Sequence, residues 1–233
     1  MSKSFAKSSL YFNYFFSSIG KKQVLAVTAT FLCLFTIVHF IGNLLMFAGP
    51  QYFNWYGHTL ASGPLLPLAE GLLLLLFLSH ASLGLWLACE NYRARPERYY
   101  KKVRSGRGAT FASATMPFTG ILLLFFLVLH LLHFRFGPVY TIVYDGVEMR
   151  DFFRLMFEFY PNPLNVVFYL LSMCLLSFHL GHGVQSIFQS YGWIHSKYTP
   201  WVKRMGLLIA VFLAIGFSSF PLWAYLKHGV VGY

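Results

Sequence analysis

The chain has 233 residues, 57% of them hydrophobic and 11% charged, and its 18 Lys and Arg against 7 Asp and Glu give a formal net charge of +11. A soluble domain carries about a quarter of charged residues, so the composition excludes a soluble globular protein. The basic excess has no groove interleaved with stacking aromatics, which argues against a nucleic-acid partner. Cys33, Cys89 and Cys174 form no CxxC pair, which argues against an iron–sulfur or structural zinc site.

Five stretches are long enough to cross a bilayer, which takes roughly 20 apolar residues in a helix. They run over about Val24–Phe47, Leu65–Ala88, Ala114–Phe136, Leu164–Phe188 and Met205–Leu226. The predicted fold is an all-α membrane protein of five transmembrane helices, one domain over residues 1–233, with the first four helices forming a bundle. The first twenty residues are aromatic and serine-rich, with no small-residue cleavage site, so the first span is expected to serve as an uncleaved insertion signal. With the N-terminus in the cytoplasm, fourteen of the eighteen Lys and Arg lie on the inner side, seven of them between Arg93 and Arg107. That asymmetry predicts an N-in, multi-pass protein of a bacterial inner membrane. The Arg93–Arg107 cluster is also suited to an acidic partner or anionic lipid.

Histidines punctuate the first four spans as IVHF (His39), LSHA (His80), LHLLHF (His130, His133) and FHLGHG (His179, His182). A lone membrane histidine commonly hydrogen-bonds a neighbouring helix. One or more in each of four consecutive helices calls for another explanation. At 1.5 Å rise per residue, His39 and His130 fall about 5 Å to the outer side of their helix midpoints. His80 and His179, on helices running the opposite way, fall about 5 Å to the inner side. Two facing imidazoles at one level suit the axial ligation of a porphyrin iron. Zinc asks for three or four clustered ligands, and copper or non-haem iron asks for thiolates or carboxylates. Gly42, Gly84, Gly181 and Gly183 stand where a macrocycle would need room. The expectation is two haems b, one held by His39 and His130, the other by His80 and His179.

At this point the motifs VHFIGNL, GPQYFNWYGHTL, LSHASLG, LHLLHFRF and FHLGHGVQSIFQSYGW become recognisable as an ordered set. The chain resembles the dihaem, b558-type cytochrome b membrane anchors of succinate dehydrogenases and quinol:fumarate reductases. The resemblance implies His130 and His179 as the ligands of their helices, with His133, Arg135 and His182 placed for haem propionates. It implies a flavoprotein subunit and an iron–sulfur subunit on the cytoplasmic side, and a quinone, typically menaquinone, exchanging electrons with them through the haems. It also implies that the chain is one subunit of an enzyme and turns over no dicarboxylate itself. A carboxylate found in some fumarate reductases immediately before the fourth-helix ligand is replaced here by Phe178.

For the quinone, the outer connection offers Asn43, Gln51, Tyr52, His58 and Glu70. Glu70, entering the run LAEGLLLLLF, is expected to be a carboxylate partly removed from water that accepts a proton from quinol, with His58 the competing acceptor. Family members with a quinone-site glutamate carry it upstream of this position. Three rivals stand beside this reading. One is a dihaem anchor of a hydrogenase, formate dehydrogenase or nitrate reductase, which the GPQYFNWYGHTL connection disfavours. Another is a proton-relaying transporter, against which stands the lack of repeat symmetry. The last is a scaffold without cofactors.

Overall fold

The computed structural model describes residues 14–94 and 111–229. Lys3, Lys7 and the Arg95–Arg107 part of the basic cluster lie outside the described residues. The long helices are α1 (Ser18–Ala48), α3 (Leu66–Arg93), α4 (Phe111–His130), α6 (Pro163–Ser190) and α7 (Thr199–Lys227). Between them lie α2 (Pro50–Ser62), a hairpin of β1 (Thr141–Tyr144) and β2 (Val147–Arg150), and α5 (Phe152–Phe159). All five expected spans are present as helices long and apolar enough to cross a membrane. Three of them extend by five or six residues beyond the apolar stretches at the end expected to be inner. There α1 begins at Ser18, α3 runs to Arg93 and α7 begins at Thr199. The added turns of α1 and α3 are fastened by polar contacts. Lys21 is ion-paired with Glu90, Trp86 Nε1 donates to Glu90 Oε1 at 2.6 Å, and Ser17 caps α1 by accepting from Gly20 N at 3.1 Å.

Each of α1, α3, α4 and α6 packs against two neighbours in a ring: α1 on α3, α3 on α4, α4 on α6, and α6 back on α1. Outside this ring α7 lies along α6, where small residues bring the backbones together. A Cβ added to Gly206 would stand 3.0 Å from Val184, and one on Gly181 would stand 3.6 Å from Ala210. The hydrophobic core lies mostly among α1, α5, α6 and α7, with Phe40, Met46, Phe153, Phe157, Leu213 and Phe220 buried in it. In contrast, only 6% of the most apolar window of α3 and of α4 is buried by the protein, against 33% for α7. These two helices therefore leave most of their apolar surface to lipid and to the interior of the ring.

The connection after α4 is a folded cap. Tyr144 pairs with Val147 across Asp145 and Gly146, both at positive φ (51° and 78°), as a two-residue hairpin turn requires. Beneath the hairpin, Asn54 of α2 and Asp151 are buried at 0% and 2% exposure. The Asn54 amide donates to Asp151 Oδ1 at 2.8 Å, Phe153 N donates to Asn54 Oδ1 at 3.0 Å, and Arg154 N donates to Asp151 Oδ1 at 2.9 Å. One carboxylate thus caps α5 and ties it to α2. Asp151→Ala removes the cap and orphans a buried amide, a loss of about 2–4 kcal/mol. Thermal unfolding in detergent should show a lower midpoint for Asp151→Ala than for Asp151→Asn; equal midpoints would show that this hub does not hold the cap.

Candidate functional site

The residues that set the site recur at a fixed interval. Thr28 and His39 on α1, and Thr119 and His130 on α4, are each eleven residues apart. Eleven residues are about three helical turns, so each pair shares a face and is separated by about 16 Å along the axis. On α3 and α6 the histidines, His80 and His179, stand at the Thr level instead. The ring therefore presents imidazoles at two levels.

Across its diagonals these imidazoles meet in pairs. His39 and His130 have ring centres 6.0 Å apart with planes at 86°, and His80 and His179 have centres 6.3 Å apart at 75°. Two imidazoles facing each other across one metal ion, with bonds of roughly 2.0 Å and each ring centre roughly 1.1 Å behind its nitrogen, would stand about 6.2 Å apart. Both pairs fit that spacing. Among the described residues no three His, Cys, Asp or Glu side chains converge, so an ion held between either pair would have two protein ligands and take the rest of its coordination from a non-protein group. In three of the four rings Nδ1 is turned to a hydroxyl, leaving Nε2 free. Thr28 stands 3.4 Å from His80, Thr119 3.1 Å from His179 and Tyr169 3.5 Å from His130. His39 differs, since its Nε2 lies 3.4 Å from the Asn43 amide, whose shorter bond is 2.7 Å to the His39 carbonyl. That longer contact would have to yield to a metal.

Aromatic rings wall the outer pair. Phe35 stacks on His39 at 5.5 Å, Phe134 lies 5.3 Å from His130, and Phe217 of α7 lies 5.9 Å from His39. The fifth span thus contributes to a site expected from the first four alone. Beyond His130 the helix opens into a single π turn, Leu131–Arg135. Arg150 answers its freed carbonyls, donating to Phe134 O at 3.0 Å and Arg135 O at 3.3 Å. The turn sends His133 to Tyr169, with Nδ1 and the hydroxyl 3.2 Å apart, and against Phe159 at 4.5 Å.

Several expectations are corrected. Glu70 is not an isolated carboxylate drawn out of water: its side chain is 42% exposed and paired with Arg135 at 2.7 and 3.2 Å. The same pair occupies Arg135, expected at a propionate. Gly42 makes room for protein, since a Cβ there would come within 2.5 Å of the Tyr56 ring, and Gly181 accommodates α7. Gly183 has open space around it, and at Gly84 the nearest atom to an added Cβ is Leu25 Cδ1 at 4.0 Å. His182 stands half-buried one turn beyond His179. The quinone candidates fall in separate places. Asn43 is turned to His39, Glu70 to Arg135, Tyr52 is 64% exposed beside exposed Gln51 on α2, and His58 lies 5.8 Å from Trp55. Sequence reasoning missed Thr28, Thr119 and Tyr169. The eleven-residue Thr–His interval, repeated on the first and third spans, was the signal for the two threonines.

The family described as succinate dehydrogenase/fumarate reductase transmembrane subunit matches residues 91–218, just over half of the chain. This chain belongs to that family. The matched region carries His130 and His179, one member of each facing pair, while His39 and His80 lie before it. No curated protein and no solved structure gives a significant match. Membership makes the chain a multi-pass membrane anchor of a succinate dehydrogenase or fumarate reductase complex. Within that role the diagonal pairing predicts how ligand loss should divide. If each pair holds a haem, His80→Ala or His179→Ala should remove the inner one, and His39→Ala or His130→Ala the outer one, read as separate losses in reduced-minus-oxidised spectra. Loss caused by His182→Ala but not by His179→Ala would overturn the inner pairing.

Proposed function

We propose that this chain carries electrons between a quinone, menaquinone in the expected case, and the iron–sulfur subunit of its complex through two bis-histidine haems b. The observation that carries this reading is the spacing of the two imidazole pairs, 6.0 and 6.3 Å, at two levels of an apolar ring. Bound haem supplies one-electron transfer. The chain's own part is to hold four imidazoles, to keep water out with aromatic walls, and to separate the two levels by about 16 Å along the helix axes. Dicarboxylate chemistry belongs to a flavoprotein partner docked, with the iron–sulfur subunit, on the basic cytoplasmic side of a bacterial inner membrane. His133 and His182, each one turn from a ligand, are the candidates to meet propionates. Arg135 could join them only by leaving Glu70. A pyridine haemochrome assay on the complex isolated through this chain should give two haems b per polypeptide, with the flavin and iron–sulfur subunits co-purifying. One haem or none would refute the reading.

Quinol oxidation also needs a base within hydrogen-bond reach, and the outer side offers Glu70 and His58. Glu70 is the leading candidate by position, at the level of the outer pair. Its ion pair with Arg135 ties proton uptake there to the opening of a contact between α3 and α4. Glu70→Gln is expected to lower quinol oxidation about 10²–10⁴-fold, the usual worth of a general base, while both haems remain by spectroscopy. If Glu70→Gln keeps full activity and His58→Ala loses it, the proton goes to His58.

A further inference from the structure

Behind the inner pair stand two hydroxyls, Thr28 Oγ1 at 3.4 Å from His80 Nδ1 and Thr119 Oγ1 at 3.1 Å from His179 Nδ1. A hydroxyl has one proton and two lone pairs, and in each case the residue's own helix claims the proton. Thr28 Oγ1 lies 2.9 Å from Leu25 O and 3.1 Å from Val24 O. Thr119 Oγ1 lies 3.1 Å from Met116 O and 3.3 Å from Thr115 O. What remains towards each imidazole is an oxygen lone pair. That arrangement suits a ring that supplies the hydrogen, with Nδ1–H donating to threonine and Nε2 keeping its lone pair; at His80 the Leu25 backbone takes part in the same contact. Both threonines are buried, at 5% and 7% exposure, so water does not readily replace them. Beside Thr119 the α4 backbone comes close to the same ring: a Cβ on Gly120 would lie 3.4 Å from His179 Cε1.

We propose that Thr28 and Thr119 are a matched pair of positioning residues that fix the tautomer and the orientation of the two inner imidazoles. The proposal rests on the bis-histidine reading given above. It adds that the inner centre is tuned from outside its ligands by two neutral hydroxyl acceptors, one from each neighbouring helix of the ring. A partner of this kind on a ligating histidine raises its basicity and holds its plane, and losing one typically weakens the hold on the metal about 10–100-fold. Thr→Val keeps the shape and removes the acceptor, whereas Thr→Ser keeps the acceptor.

The test uses the intact complex and needs no turnover. Redox titration followed by optical and electron paramagnetic resonance spectra should show the inner centre's midpoint potential rising in Thr28→Val and in Thr119→Val, because a less basic ligand stabilises the oxidised iron less. The outer centre should stay where it is in the parent complex. Thr28→Ser and Thr119→Ser should restore the parent potential and line shape. Selective loss of the inner haem in the valine variants, with the serine variants intact, equally supports the proposal. Unmoved potentials in both valine variants, shifts shared by both centres, or serine variants that behave like valine would overturn it. A parent complex without haem would remove the bis-histidine reading and this inference together. A dihaem parent whose inner potential ignores both valine substitutions would remove this inference alone.

Discussion

Hydrocarbon gives an imidazole nothing to bond to, so each of four spanning helices must point its histidine at another part of the protein. In this ring the diagonal helix supplies the facing imidazole and, at the inner level, the neighbouring helix supplies the hydroxyl behind it. His80 looks across to His179 and back to Thr28, and His179 looks across to His80 and back to Thr119. That division explains the packing. Neighbours can touch, but helices on a diagonal are held apart by the width of two imidazoles. A ring built this way cannot collapse into an ordinary tightly packed four-helix core.

An open ring needs its rigidity from elsewhere, and the aromatic core beside it provides it. Phe40 reaches from α1 to Phe217 and Phe220 of α7 at 5.3 and 6.0 Å, and Phe153 and Phe157 of the cap both lie on Trp223. Through these contacts α7 and α5 brace α1 and α6 without entering the ring. The outer level also takes part of its wall from this brace, through Phe217. At the other end the Lys21–Glu90 pair and Trp86 join α1 to α3. The fifth helix is thus a buttress for the histidine-bearing four.

What the sequence made legible was axial. The five spans, the alternation of direction and which histidines share a level follow from counting residues at a fixed rise, although that count set the two levels about 10 Å apart where the Thr–His interval sets them at about 16 Å. The structure pairs the same four residues. What stayed hidden was rotational or local. Whether Gly42 faces a cofactor or Tyr56, and whether Glu70 faces a cavity or Arg135, depends on the angle each helix turns to its neighbour, which apolar composition on every face does not encode. The cap was a different case. Its Asp145–Gly146 turn between TIVY and VEMR is a regular hairpin signal, but a connection under thirty residues between two spans invites reading as a loop. Beneath it, the partnership of Asn54 with Asp151 joins residues far apart in the chain, with no local pattern to announce it.

The choice of threonine at the inner level follows from the solvent as well. Ligating histidines in soluble proteins often donate to a carboxylate. At this depth an Asp costs about 2.5–3.5 kcal/mol on insertion scales, and its charge would stand beside a buried imidazole pair short of water. A threonine hydroxyl avoids that cost by giving its proton to its own helix, as Thr28 does to Leu25 and Thr119 to Met116. It still presents a lone pair to the ring. The eleven-residue interval places this neutral acceptor and the next level's ligand on one face of one helix. A single helix can then serve the inner site with an oxygen and the outer site with a nitrogen. Two such helices, α1 and α4, on opposite corners of the ring, supply both outer imidazoles and both inner hydroxyls from one repeated arrangement.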